Sequence, residues 1–435
     1  MVDNRAWPIL RRLARWVQRF DVCFDHPAQR TSLATYLQGL LGDSTRKSMQ
    51  AMLARVSSPI PYQAFQHFVT HAPWDARPVW RRLLEVLPER SGILIVDDTG
   101  FPKQGRQSVG VTRQYCGALG KVANCQVAVT VALWNGLRAW LLGAELYLPE
   151  EWLQVERRLR AQIPDRVTFQ EKWRLALSLV RRAVGAGIQV EAVVADAGYG
   201  DVTAFRDGLE RMGLAYALGV SSTTTVFRGE PRTVAPPRQP RGGRPRTRPV
   251  LDGRVRTVSL RQLIRRLPAS TWKRVTWRNG ANRPWSAEFV ALRVTPAHDW
   301  RHGRPATAVW LLAERAVDGR RPTKFFLSNL PHTATLRQLV RLAHQRWAIE
   351  QQYQNLKTEL GMDHFEGRTY PGWNHHLVLC AMAYAFLQKE RKHRRAGPNL
   401  TFPAVHAVVQ AVFAGLIMAA RPQYLDWLNK AKEFL

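Results

Sequence analysis

Three acidic residues in this chain have the type and surroundings to hold a divalent metal. Asp98 follows an apolar, β-branched run at residues 92–96 that predicts a buried strand. Asp196 follows a second run of this kind at residues 189–195, and Glu350 lies on a predicted helix. Phosphodiester chemistry with two Mg²⁺ ions about 4 Å apart needs hard oxygen ligands that are held rigidly. Carboxylates at the ends of buried strands meet that need.

Each of these acids also has a structural interpretation. Asp98 and Asp196 could cap the turns that they begin. The predicted helix at residues 336–360 has an apolar stripe, and beside it a second face with charged and aromatic residues at steps of four, three and four: Arg346, Glu350, Tyr353 and Lys357. A carboxylate between two cations suits a metal site beside a phosphate. The spacing by itself favours an exposed ladder of ion pairs.

The charge of the chain favours a polyanionic partner. Sixty-four lysines and arginines face 33 aspartates and glutamates among 435 residues, for a formal net charge of +31. Cationic side chains on phosphates release condensed counterions, which favours binding to nucleic acid. Membrane-surface proteins usually confine such charge to one helix or one short run, whereas here it is spread along the chain. We therefore expect a nucleic-acid partner and no membrane partner.

The termini and cysteines predict a cytoplasmic protein. The longest apolar stretch, residues 408–420, is too short to cross a bilayer, and the N-terminus alternates arginine with apolar residues and has no signal core. The four cysteines lack the spacing of a zinc site and fit a reducing compartment.

The pattern of elements predicts an α/β fold with a mixed sheet. Between residues 92 and 220 the order is β-β-β-α-β-α-β, and Asn135-Gly136 marks a hairpin turn between two of the strands. Predicted strands are at 92–96, 127–134, 139–147, 189–195 and 215–220, with helices at 44–56, 171–186 and 202–212. Residues 254–329 read as further strands, and helices follow at 336–360, 373–391 and 402–418.

Several of these residues together resemble bacterial insertion-sequence transposases of the DDE superfamily, which have a ribonuclease H-like catalytic core. The resemblance lies in four blocks, namely residues 93–103, 108–117, 120–126 and 196–200. Arg346, Glu350 and Lys357 match the Arg-Glu-Lys part of the Tyr-Arg-Glu-Lys signature of one group. Ala343 stands where that signature has tyrosine, which is a departure from the pattern.

The resemblance implies a metal site. Asp98, which precedes Thr99, would be the first ligand, Asp196 the second and Glu350 the third. Asp97 is the alternative first ligand, because alternate strand residues face opposite ways and the two neighbours cannot both face one metal. The implied metal is Mg²⁺, with Mn²⁺ as a substitute.

The resemblance also implies DNA contacts. Arg346 and Lys357 would grip phosphates near the scissile bond, and Tyr353 shares their helix face. Four cations in the glycine-rich stretch at 101–126 would hold the strand: Lys103, Arg106, Arg113 and Lys121. An aromatic residue in the β-rich insertion at residues 222–330 would stack on a flipped base, with Trp272, Trp277 and Trp285 as candidates. Core packing is the alternative for each of these tryptophans.

These expectations combine into a predicted transposase with an α/β, ribonuclease H-like mixed sheet, flanking helices and helical ends. It would bind terminal inverted repeats in double-stranded DNA, cleave at the ends and join the 3′-hydroxyls to target DNA as a homodimer. Residues 1–88 are predicted to form a helical DNA-binding domain, with a plain helical bundle that has a solvated arginine face as the alternative. The first part of the catalytic core is predicted at 89–221 and its last helix at 331–368. Between them we expect a β-rich insertion at 222–330 with an Arg/Pro-rich loop at 229–250, and after them a helical region at 369–435. An inactive DNA-binding derivative and a ribonuclease H-like nuclease are the alternatives.

Overall fold

The described chain begins and ends with helices, and its strands lie between them. The computed structural model describes residues 8–227, 231, 233–234, 250–251, 256–279, 284–297, 306–315, 322–393 and 400–420. Most of the predicted Arg/Pro-rich loop at 229–250 lies outside the described residues.

Helices dominate the two ends of the chain. Within the described ranges the α-helices are α1 Pro8–Gln18, α2 Pro27–Leu41, α3 Met49–Ala54, α4 Tyr62–Thr70, α5 Ala76–Val86, α6 Val155–Arg160, α7 Lys172–Gly185, α8 Ala197–Gly200, α9 Thr203–Arg211, α10 Leu260–Arg265, α11 Leu336–Ala343, α12 Trp347–Thr358, α13 Tyr370–His393 and α14 Phe402–Ala420.

Strands occupy the middle of the chain. They are β1 Ser91–Pro102, β2 Thr112–Cys116, β3 Lys121–Trp134, β4 Ala139–Leu146, β5 Gln189–Ala195, β6 Tyr216–Val220, β7 Thr225–Phe227, β8 Thr233–Val234, β9 Val250–Leu251, β10 Val258–Ser259, β11 Lys273–Asn279, β12 Pro284–Pro296, β13 Val309–Arg315 and β14 Pro322–Ser328.

The chain divides into two compact units. Unit 1 comprises Met1–Arg90, Asp98–Ile188 and Ala348–Leu435, and unit 2 comprises Ser91–Asp97 and Gln189–Trp347. Strand β1 therefore contributes its first half to unit 2 and its second half to unit 1.

Unit 2 contains parallel and antiparallel strands. The first half of β1 pairs with β5 in parallel, and β5 pairs with β6 in parallel. From β6 the sheet continues antiparallel through β14, β13 and β12, and β12 pairs with both β11 and β7. Helix α10 buries Leu260, Leu263 and Ile264 in the core of these strands. The predicted α/β fold with a mixed sheet is thus confirmed.

Unit 1 combines an antiparallel sheet with a helical bundle. Strand β3 pairs antiparallel with β2 and with β4. Helix α13 packs against α2, α4, α5 and α14. The indole nitrogen of Trp16 donates to Met382 O at 3.2 Å, and Arg12 pairs with the buried Glu390 at 2.7 Å. The N-terminal helices are therefore anchored on the C-terminal ones, while Arg11, Arg15 and Arg19 remain exposed.

Four elements differ from the sequence prediction. Strand β1 continues through Asp97 and Asp98 to Pro102, whereas its apolar run ends at residue 96. The helix predicted at residues 44–56 is shortened to α3, because Ser48 caps it by accepting a hydrogen bond from the Ala51 N–H. Part of the glycine-rich stretch forms a hairpin of β2 and the start of β3.

The fourth difference concerns the helix predicted without a break at residues 336–360. Helix α11 ends at Ala343, a 3₁₀ turn spans His344–Arg346, and α12 begins at Trp347. His344 stacks on Trp277 with ring centres 4.0 Å apart, and its Nε2 lies 3.3 Å from Glu314 Oε2. These contacts come from β11 and β13, so the helical period alone could not reveal the break.

One helix in the described ranges, α14, is long and apolar enough to span a membrane, with 19 residues and a mean hydropathy of 1.8. It begins six residues before the stretch judged too short from sequence. Its His406 is completely buried and hydrogen-bonds Glu359 at 2.7 Å and Leu41 O at 3.2 Å. Core helices of folded proteins have the same length and composition, so the absence of a membrane partner stays a prediction.

Candidate active site

In unit 2, Asp196 begins a tight turn directly after β5. Its Oδ1 accepts a hydrogen bond from the Gly198 N–H at 2.9 Å, which makes Asp196 the N-cap of the short helix α8. A Cβ on Gly200 would overlap the carbonyl oxygen of Gly219, so the turn lies directly on strand β6. The Asp196 carboxylate is therefore held by a rigid backbone. Asp196 also caps its turn, as its structural interpretation predicted.

A buried arginine fixes the same turn. The side chain of Arg206 donates to Gly200 O and, at 3.1 Å, to Thr203 Oγ1, and the residue is 3% exposed. Burial lowers the pKa of this guanidinium, and nearby acidic groups such as Asp207 partly offset the effect. Sequence reasoning missed Arg206. Its position early in α9, the helix that follows the Asp196 turn, was the available signal.

Also in unit 2, Asp97 lies beside this turn. The parallel register of β1 and β5 pairs Ile95 with Val194, and two further residues bring Asp97 level with Asp196. The Asp97 side chain is 10% exposed, and its Oδ2 accepts a hydrogen bond from Arg346 at 2.7 Å. Arg346 thus neutralises a nearly buried carboxylate.

The 3₁₀ turn that contains Arg346 is packed by aromatic contacts. Trp277 stacks on His344, and the Arg278 guanidinium lies 3.7 Å from the ring centre of Trp347. Because Arg346 belongs to this turn, the prediction that it continues one uninterrupted helix face with Glu350 is wrong.

The three tryptophans predicted for base stacking differ in their surroundings. Trp277 is packed as described, and Trp272 lies under Arg315 at 4.2 Å and against the unit 2 core. Both have the contacts expected of packing residues. Trp285 is 55% exposed, so its ring is accessible. Stacking on a base stays a prediction, with Trp285 now the best placed.

In unit 1, Asp98 pairs with a lysine that sequence reasoning missed. Lys172, the first residue of α7, donates to Asp98 Oδ2 at 2.6 Å, and the two side chains are 34% and 30% exposed. The Lys172 Nζ also lies 5.4 Å from the ring centre of Tyr147. A cationic group is thus already beside the first predicted ligand.

Two lysines of unit 1 tie the end of β1 to the chain around α12. Lys357 Nζ donates to Gly100 O at 2.7 Å, and Lys103 Nζ donates to Phe365 O at 2.5 Å. Burial lowers the pKa of both amines. Since Gly100 follows Asp98 on β1 and Lys357 follows the exposed Glu350 on α12, these bonds hold the Asp98 strand beside the Glu350 helix.

The remaining predicted DNA contacts fall into two groups. Tyr353 is 9% exposed, and its hydroxyl lies 2.5 Å from the Thr130 hydroxyl. This buried hydrogen bond gives Tyr353 a packing role, and its position does not support contact with DNA. The side chains of Arg106, Arg113 and Lys121 are exposed and accessible to a large ligand.

The donor set has the chemistry that a divalent metal requires. Carboxylate oxygens are hard ligands of the kind that Mg²⁺ and Mn²⁺ prefer. Among the described residues, no group of three or more His, Cys, Asp and Glu side chains lies close enough to hold a metal ion. The metal site at Asp98, Asp196 and Glu350 therefore stays a prediction.

Comparison with known proteins identifies the family. A family model described as DDE superfamily endonuclease matches residues 19–284, which is more than half of the chain. The chain belongs to this family. The match includes Asp97, Asp98 and Asp196 and ends before Glu350. The predicted membership of the DDE superfamily is confirmed, and the mixed α/β fold is consistent with its ribonuclease H-like core.

One curated protein is similar to this chain in sequence. The probable transposase for insertion sequence element IS701 of Microchaete diplosiphon is 33% identical over 233 residues. These residues are 52% of this chain and 58% of the relative, so the similarity spans little more than half of each.

Proposed function

We propose that this DDE-family endonuclease is a DNA transposase that cleaves at the ends of its element and joins the 3′-hydroxyls to target DNA. The observation that supports this most directly is the placement of acids within the family match. Asp98 lies on a strand tied by Lys357 to the helix of Glu350, and Asp196 caps a rigid turn at a strand end. Membership of an endonuclease family and the transposase relative support the reaction class.

In this proposal Asp98, Asp196 and Glu350 are the carboxylates that hold Mg²⁺, or Mn²⁺ in its place. Bound metal would activate the attacking water or 3′-hydroxyl and stabilise the leaving oxygen. Lys172 holds the Asp98 carboxylate in the structure and would release it to the metal. Arg346 pairs with Asp97 and, with Lys357, would supply positive charge for the scissile phosphate.

The proposed partner is double-stranded DNA, both transposon end and target. The net charge of +31 supports salt-dependent binding to phosphates. The exposed arginines of α1 suit arm contacts in the proposed DNA-binding region 1–88. The other proposed regions are the catalytic core at 89–221 and 331–368, the β-rich insertion at 222–330 and the helical region at 369–435. Because a transposase handles two element ends at once, we propose that the protein acts on DNA as a homodimer. The proposed location is the cytoplasm, in association with the nucleoid.

The proposal is tested with purified protein and a linear DNA containing the sequences that flank the coding region. With Mg²⁺ we expect cleavage at inverted repeats and joining of the cut ends to a supercoiled plasmid, and EDTA should stop both. Sequencing of the joints identifies the bonds made. Binding without cleavage would favour an inactive derivative, and cleavage without joining would favour a nuclease.

Replacement of Lys172 tests whether its amine competes with the metal for the Asp98 carboxylate. Lys172→Met should lower the Mg²⁺ concentration for half-maximal cleavage by roughly two- to fivefold, since a partly exposed ion pair contributes up to about 1 kcal/mol. Arg181→Met removes the same charge from an exposed position on α7 and is the matched control. A Mg²⁺ requirement for Lys172→Met equal to that of the control would exclude this competition.

A further inference from the structure

An open cleft in unit 1 lies beside the segment that follows β1. Its volume is about 630 Å³. Residues from three stretches of chain line it: Thr45–Arg46 ahead of α3, the stretch 102–108 that begins at the last residue of β1, and the stretch 363–368 after α12. It therefore adjoins the continuations of both the Asp98 strand and the Glu350 helix.

The walls of this cleft are held in place by hydrogen bonds within unit 1. The Asn124 side-chain amide donates to Lys103 O at 2.7 Å and to Gly105 O at 2.8 Å, which fixes the loop after β1. The Lys103 amine donates to Phe365 O and so joins this loop to the opposite wall. The cleft is a built feature of the fold, because the Asn124 side chain of β3 holds its loop and the Lys103 side chain ties that loop to the opposite wall.

The groups that line the cleft suit an anion. Cations on its walls are Arg46, Lys103 and Arg368, and Gln104, Gln107 and Ser108 add neutral hydrogen-bond donors. Gln107 Oε1 already accepts from Arg160 at 3.0 Å, so its amide N–H groups remain to donate elsewhere. Burial lowers the pKa of His364, whose Nδ1 accepts from the Lys47 N–H, so this histidine is neutral near pH 7.

Two acids, Asp363 and Glu366, oppose the cations of the cleft. Glu366 pairs with Arg46, and the two side chains are 69% and 65% exposed. Such an exposed ion pair is worth about 1 kcal/mol or less. Arginine binds phosphate with two parallel hydrogen bonds and can exchange a solvated carboxylate for it. Glu366 is therefore placed to compete with an incoming phosphate.

We propose that this cleft binds a phosphodiester of the DNA backbone through Arg46, Arg368 and Lys103, and that Glu366 weakens this contact. The inference rests on the proposed function, which supplies DNA as the ligand. A DNA strand that passes Asp98 would continue into the cleft, because residues 103–108 follow β1 directly. The contact is to the backbone and carries no sequence information.

The test measures binding of a short labelled DNA duplex to the full chain by fluorescence anisotropy, with EDTA present and at several salt concentrations. Glu366→Gln should raise affinity roughly two- to fivefold. Arg46→Gln with Arg368→Gln should reduce the magnitude of the slope of log K against log salt by about 1, since one phosphate contact contributes about 0.9. Matched controls are Glu151→Gln and Arg157→Gln, from an exposed ion pair elsewhere in unit 1.

The outcomes separate this inference from the function on which it rests. A wild-type chain with no salt-dependent DNA binding would overturn the proposed function and the cleft together. If the wild-type chain binds DNA and the cleft variants match their controls in affinity and salt dependence, only the proposed phosphate contact in the cleft would be overturned. A gain from Glu366→Gln would support the cleft without concern for folding, since that side chain is exposed.

Discussion

Replacement of Asp98 by asparagine is expected to reduce DNA cleavage on the order of 10³-fold or more while the protein remains folded. Asparagine keeps the shape and loses the negative charge that a divalent metal requires, and metal catalysis is worth several kcal/mol at about 1.4 kcal/mol per tenfold. Because Asp98 is partly exposed and its partner Lys172 can return to water, little stability should be lost. Cleavage rates at saturating Mg²⁺ and a thermal melt measure the two effects.

Asp97→Asn should give the opposite pattern. The Asp97 carboxylate is nearly buried against Arg346, so its removal should cost roughly 1–3 kcal/mol of stability with a much smaller effect on cleavage by the folded fraction. Asp165→Asn, at a fully exposed side chain, is the control for loss of one aspartate charge. Cleavage abolished by Asp97→Asn and retained by Asp98→Asn would reassign the first ligand to Asp97.

Gly200→Ala should destabilise unit 2 by about 2–4 kcal/mol and reduce cleavage with it. The added Cβ would overlap the Gly219 carbonyl oxygen, a backbone atom of β6 that cannot move aside as a flexible side chain could. The displaced turn contains Asp196, so loss of activity should accompany loss of stability.

A urea titration measures the first effect, and cleavage assays below the unfolding transition measure the second. Gly185→Ala is the matched control, because a Cβ there meets no atom within 4 Å in α7 and should be neutral or stabilising by up to about 1 kcal/mol. A Gly200→Ala protein as stable as wild type would show that the turn does not lie against β6 in solution.

Local patterns in the sequence predicted most of the elements. Strand β5 has the predicted bounds, and α7 differs from its prediction by one residue at each end. The apolar runs and the Asn135-Gly136 turn are signals within a few residues, and they succeed because strand and hairpin formation there depend on nearby side chains. The bounds of β1 were less accurate, because the strand extends through Asp97 and Asp98, whose ion-pair partners Arg346 and Lys172 come from distant segments.

Contacts between distant residues decided the rest of the candidate site. The break at His344 depends on Trp277 and Glu314, and neither the helical period nor the signature residues indicate those partners. The roles of Tyr353 and Lys357 also changed once their partners were known. Tyr353 is buried against Thr130, and Lys357 bonds the backbone of β1.

By itself the sequence determined the types of residue available for chemistry: carboxylates at strand ends, a basic chain and the motifs of the family. It identified Asp98, Asp196 and Glu350 as candidates because residue type and local period are local properties. Only the tertiary structure decided that Lys172 holds Asp98, that Arg346 holds Asp97 and that Gly200 lies against β6. Burial and ion pairing depend on which distant segments come together, and no local pattern records that.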